Sequence, residues 1–164
     1  MRRVTGADLK LVMPFVQAAA DEAAKATCLR DKCGSAVVSR RKIIGRGYNS
    51  PPLDDEANRQ CNKDWDYSRK PKADKTCCVH AEWRAVLEAA KTHPKLLNGS
   101  TLYFMRIDKA GRMTDASEPY CTECSRLILD NGISEVALWN NNGVDLYEAQ
   151  EYNRLSYKFH ELKQ

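Results

Sequence analysis

Residues 33–49, CGSAVVSRRKIIGRGYN, decide the fold. Two runs rich in Val, Ile and small residues, 33–39 and 42–48, are joined through Arg40-Arg41, which reads as a β-hairpin. Ahead of it, Leu9, Val12, Val16, Ala19, Ala20 and Ala23 recur at spacings of three and four, the period of a helix. Thr5 with Asp8 three residues on reads as its cap, and Pro14 as a kink or as the true first turn. Beyond the hairpin, residues 80–92 (HAEWRAVLEAAKT) predict a second helix with Trp83, Val86, Leu87 and Ala90 on one face. Residues 101–107 alternate like a strand, and 121–131 form a helix closed by Gly132. Residues 133–139 follow as a strand and 145–159 as a last helix. The order α-β-β-α-β-α-β-α implies a three-layer α/β/α fold with helices on both sheet faces. Polar stretches at 49–76 and 108–118 are loops, the first long enough to be functional or tied down by something else.

The 164 residues, 43% hydrophobic and 29% charged, suit one domain spanning 1–164, which at this size buries roughly 70% of its unfolded surface. No apolar run approaches the roughly 18 residues of a membrane helix. Asp8 and Lys10 interrupt any signal-peptide core behind Met1-Arg2-Arg3. The expected setting is therefore cytoplasmic, with no membrane partner. Seven cysteines cannot all pair within one chain. Without an export signal, thiols are read as metal ligands, catalytic groups or small core residues. The net charge of +4 is uneven, with seven bases against Asp31 alone in residues 25–46. Such a segment could attract an anion, from one phosphate to a nucleic acid, although a solvated helix end and turn explain it as well.

Two short segments carry the chemistry: His80-Ala81-Glu82 at the start of the second helix and Cys121-Thr122-Glu123-Cys124 at the start of the third. Cys-x-x-Cys on a helix puts both sulfurs on one face, and a helix N-terminus favours thiolates. One His and two Cys give zinc three protein ligands and leave the fourth position for water, the pattern of a catalytic site. Glu82 is placed to move that water's protons without being a ligand. Each half alone has other readings: Cys-x-x-Cys also serves redox proteins and zinc ribbons, and a histidine at a helix start is often only a cap.

Together the halves match the H-x-E…P-C-x-x-C signature of zinc nucleobase deaminases. The hairpin agrees: TCLRDKCGSAVV and KIIGRGYNSPP carry Gly34, Ala36-Val37-Val38, Ile43-Ile44 and Gly47-Tyr48-Asn49 in order and spacing. The chain thus resembles the cytidine/deoxycytidylate deaminase superfamily, closest to its deoxycytidylate branch, over most of residues 20–140. The resemblance implies a mixed sheet of about five strands and Zn²⁺ held by His80, Cys121 and Cys124. It implies a zinc hydroxide attacking C4 of cytosine, with Glu82 as proton shuttle. Asn49 would hold the sugar or phosphate end and the Ala81 N–H the base carbonyl. It also suggests a homo-oligomer. Departures from the pattern surround the substrate: Tyr120 separates Pro119 from Cys121, the 108–118 connection is long, Arg84 replaces a usual Asn, and the tail shows no final strand.

Tyr120 could stack on the base or simply pack under the loop. Arg106 could reach a phosphate or stay in solvent. Tyr147, Tyr152, Tyr157 and Phe159 could form a single-strand stacking surface, or dock a helix on the sheet. Cys28, Cys61, Cys77 and Cys78 bracket the long loop as candidates for a second, structural zinc, a feature of some deoxycytidylate deaminases; Cys33 reads as core. The function expected is hydrolytic deamination of a cytosine nucleotide, dCMP to dUMP and ammonia. The alternatives are a polynucleotide-editing deaminase acting on tRNA or single-stranded DNA, and a non-enzymatic zinc-stabilised interaction domain.

Overall fold

The computed structural model describes residues 1–64, 77–116 and 118–161. Its elements are β1 (Arg2–Val4), α1 (Gly6–Lys25), β2 (Lys32–Ser39), β3 (Lys42–Tyr48), α2 (Ala81–Thr92), α3 (Pro94–Leu97) and β4 (Thr101–Ile107). The chain continues through β5 (Met113–Thr114), α4 (Thr122–Asp130), β6 (Glu135–Asn140), β7 (Gly143–Glu148) and α5 (Ala149–Lys158). The strands form one mixed sheet in the order β1-β7-β6-β4-β2-β3, with β5 beside β4. Only β4 and β6 run parallel among these pairs.

Period-two alternation divides the core between the two sheet faces. Val37, Leu102, Phe104, Val136 and Leu138 pack with α2 and α4, while Ala36, Val38, Tyr103, Met105 and Ala137 pack with α1. This is the expected three-layer α/β/α arrangement. The hairpin glycines set how closely the helices approach. A Cβ on Gly34 would meet the α1 backbone at Ala19 and Ala23, and one on Gly45 or Gly47 would meet the α2 backbone around Ala81 and Ala85. Ala19 and Ala23 of α1 and Ala81, Ala85 and Ala89 of α2 complete these contacts and are wholly buried.

The sheet has seven strands among the described residues rather than about five. The tail differs most. Residues 145–159 are not one helix: β7 pairs antiparallel with β6, and α5 begins only at Ala149. Asn140 and Gly143 face each other across a two-residue turn, Gly143 with φ 141°, so Asn-Asn-Gly was the hairpin signal under the helical spacing. The free edge of β7 then takes β1. Helix α2 is also rotated from the expected face: Ala81, Glu82, Ala85, Val86 and Ala89 are buried, whereas Trp83 and Leu87 are exposed. Glycines on β3 admit only small side chains, so the alanine stripe faces the sheet and the larger residues turn outward. Thr5 occupies the N-cap position without a side-chain cap bond, and Pro14 lies inside α1. Of the described residues, no helix is long and apolar enough to cross a membrane.

Gly45→Ala should lower stability by about 1–3 kcal/mol, the usual effect of overpacking a tight contact. Urea unfolding followed by circular dichroism measures it, and an unchanged midpoint would contradict the close-approach account.

Candidate metal centre

Helices α2 and α4 cover the same sheet face, and their N-termini meet. His80 is the N-cap of α2 but makes no side-chain cap bond, leaving its ring to turn toward α4. Cys121 is the N-cap of α4, its Sγ accepting from the Cys124 N–H at 3.3 Å. The His80 Nδ1 lies 3.0 Å from Cys124 Sγ and 3.5 Å from Cys121 Sγ, and the two sulfurs are 3.0 Å apart. Donors at roughly 2.0–2.3 Å from a tetrahedral zinc lie within about 4 Å of one another, so this set fits the ion. It is the one group of three or more His, Cys, Asp or Glu donors all within 4.8 Å among the described residues.

The three donors shift one another in opposite directions, Cys124 being pushed well up by its contact with Cys121 and by burial. The Cys121 thiol is pulled down to about 4, first by the Cys124 thiol and then by the imidazole, against the opposing effect of burial. His80 is pushed up to about 9, chiefly by its bond to Cys121. Burial pushes the Glu82 carboxyl up, with only 6% of the residue exposed. A buried carboxyl with raised proton affinity, beside metal donors, is suited to accept and return a proton.

A cavity of about 280 Å³ opens onto the centre and is lined by His80, Ala81, Glu82, Asn49, Phe104 and Tyr120, together with Cys28, Arg30, Asp31, Cys33, Cys61, Cys77 and Cys78. Every residue expected at the site is therefore at the metal donors or on this wall. Asn49 is positioned by the hairpin register: its Oδ1 accepts from the Cys33 N–H at 2.9 Å and its Nδ2 donates to the Asp31 carbonyl at 2.8 Å. Ala81, the first residue of α2, is fully buried, and an N–H at that position has no intrahelical acceptor. Tyr120 is half-buried, and its carbonyl lies 2.6 Å from His160 Nε2.

The fold places three cationic features, and Arg40-Arg41 take the hairpin-turn alternative. Arg84 pairs with Asp54 at 3.0 Å, donates to the Pro51 carbonyl at 3.0 Å and sits over the Tyr48 ring at 5.2 Å. Asp54 also accepts from Tyr48 at 2.9 Å and from Ser50, whose carbonyl accepts from Val79 N–H at 2.9 Å, one residue before His80. Arg84 thus latches the turn after β3 to α2. The partner Asp54 carries no sequence signal of its own within an acidic stretch. Arg40 and Arg41 occupy the hairpin turn with φ 49° and 61°. They lie seven or more strand residues, roughly 20 Å, from Asn49. Arg30 is the member of the basic segment that reaches the cavity wall.

Cys33 is buried, as expected of a core residue. Cys77 and Cys78 have sulfurs 3.9 Å apart, Cys77 also touching Cys61 and Cys78 touching Cys28. The four form a chain of contacts on the cavity wall and not one compact donor set.

The sequence profile of the cytidine and deoxycytidylate deaminase zinc-binding region matches residues 10–139. This chain belongs to that family. The deaminase is 32% identical to the deoxycytidylate deaminase of Mycobacterium phage D29 over 130 residues, 74% of this chain and 88% of the phage protein. Its fold is similar to that of dCMP deaminase from cyanophage S-TIM5, solved with dCMP and dUMP, at TM-score 0.55 and 22% identity, covering 77% of this chain and 79% of the other. It is likewise similar to cytidine deaminase from Burkholderia pseudomallei, at TM-score 0.57 and 18% identity, covering 85% and 94%. This deaminase is accordingly a zinc-binding hydrolase of C–N bonds.

Purified protein should hold zinc at the centre, and Cys124→Ala should lose that metal. Atomic absorption measures this, and full zinc retention in the variant would contradict the donor assignment. Arg84→Met, which opens the latch without touching a donor, should keep its zinc and melt at a lower temperature in calorimetry.

Proposed function

We propose that this chain converts deoxycytidylate and water into deoxyuridylate and ammonia. The observation that carries this is the convergence of His80, Cys121 and Cys124 beside the buried Glu82 at a cavity sized for one nucleotide. The relative from phage D29, matched along most of its length, is a deoxycytidylate deaminase. Arg30 on the cavity wall offers a cation for a monophosphate.

In this reading His80 Nδ1 and the sulfurs of Cys121 and Cys124 hold the metal. Zinc, when bound, supplies the Lewis acidity that makes water nucleophilic near neutral pH. Glu82 takes a proton from the water and delivers one to the departing amine, returning to its starting state. The Ala81 N–H receives the base carbonyl, Asn49 orients the sugar and Tyr120 packs against the base. Of the tail aromatics, Tyr147 and Tyr152 are buried and unavailable for stacking, whereas Tyr157 and Phe159 are exposed.

Glu82→Ala should reduce ammonia release by about 10²–10⁴-fold, the span typical of general acid–base catalysis, with zinc content unchanged. A zinc-loaded wild-type protein that releases no ammonia from any pyrimidine nucleotide would overturn the reading. Activity confined to oligonucleotides would replace it with a polynucleotide-editing one.

A further inference from the structure

Strand β4 presents Leu102 and Phe104 to the α2 and α4 side, alternating with Tyr103, Met105 and Ile107 toward α1. Arg106 continues the first row, paired in register with Cys33 of β2. An arginine ending an apolar row is an unusual choice, and its Nε is buried without a hydrogen-bond partner among the described residues. Buried polar atoms left unpaired are destabilising, so an arginine kept here calls for a reason. Its guanidinium carbon stands 5.3 Å from the Tyr120 ring centroid and 6.0 Å from that of Phe104. Tyr120 and Phe104 both line the cavity, and Arg106 is not among its lining residues.

Tyr120 also contacts the turn after α5. Phe159 lies 6.0 Å from it, ring centre to ring centre, and His160 contacts its carbonyl. The residue that separates Pro119 from Cys121 is thus clamped between the end of β4 and the turn after α5. We infer that Arg106 is a positioning residue, which stacks on Tyr120 and fixes its ring as the cavity wall against which the cytosine base packs. This rests on the proposed nucleotide substrate. Arg106 itself touches no substrate and acts through Tyr120. The guanidinium both sits over the Tyr120 ring and hydrogen-bonds the Tyr120 side chain, a two-point hold that suits arginine's fixed fork over lysine.

The test combines steady-state kinetics on deoxycytidylate with crystal structures of the zinc-loaded protein. Tyr120→Ala and Arg106→Met should each raise KM about tenfold while kcat stays within about twofold, because a wall residue contributes binding common to ground and transition states. Arg106→Lys, the milder variant should Arg106→Met not fold, keeps the charge but loses the two-point guanidinium contact and should raise KM about threefold. The double variant should be no worse than Tyr120→Ala alone, since both act through one ring. In the Arg106→Met or Arg106→Lys crystal, the Tyr120 ring should leave the wall. An unchanged KM in the arginine variants, additive effects in the double variant, or a Tyr120 ring that stays in place would each overturn the inference. Should the wild type deaminate no cytosine nucleotide, the substrate reading falls and ring displacement alone decides the positioning role.

Discussion

The contact on which this architecture depends is the backbone approach of α2 to β3. Gly45 and Gly47 have no side chain to hold the helix away, and the buried alanines at positions 81, 85 and 89 have little to push with. The N-terminus of α2 therefore sits beside the end of β3, where Asn49 stays bonded to Cys33 of β2. His80, Ala81 and Glu82 arrive at the cavity because that contact leaves them nowhere else to go. The Arg84–Asp54 latch secures the same junction from outside, tying the turn after β3 to the helix one turn beyond His80.

A second helix start, that of α4, meets the first. The Cys124 thiol does most to hold the Cys121 sulfur as thiolate, the His80 imidazole adds to it, and the Cys124 N–H at the helix start contributes last. The carboxyl between them is treated oppositely, burial pushing Glu82 toward its protonated form. A sulfur held as thiolate, Cys121, stands next to a carboxyl that resists ionisation. Chemistry that must ionise water and then protonate a leaving amine needs both environments within one small volume.

Much of this was legible in the residues. The hairpin, both helix starts and β4 follow from period, spacing and punctuation, because each has a strong local cause. What escaped had causes at long range. β7 was hidden because Val144, Leu146 and Tyr147 suit a helical spacing as readily as a strand, and only the free edge of β6 decides. The face of α2 was misjudged because the larger residues Trp83 and Leu87 look like core until the glycines opposite are seen to exclude them. Arg84 and Arg106 offered no sequence clue to their partners, since Asp54 and Tyr120 are joined to them only by the fold. The metal donors, by contrast, are readable because helix geometry fixes the Cys-x-x-Cys face locally.

The central claim is that His80, Cys121 and Cys124 hold one zinc whose remaining coordination position faces Glu82. Anomalous diffraction at the zinc edge, on crystals of the purified protein, tests it most directly. The account predicts an anomalous peak at about 2.0–2.3 Å from the His80 Nδ1 and the two sulfurs, with no fourth protein ligand. A peak closed by a fourth side chain, or zinc bound only by Cys28, Cys61, Cys77 and Cys78, would contradict it.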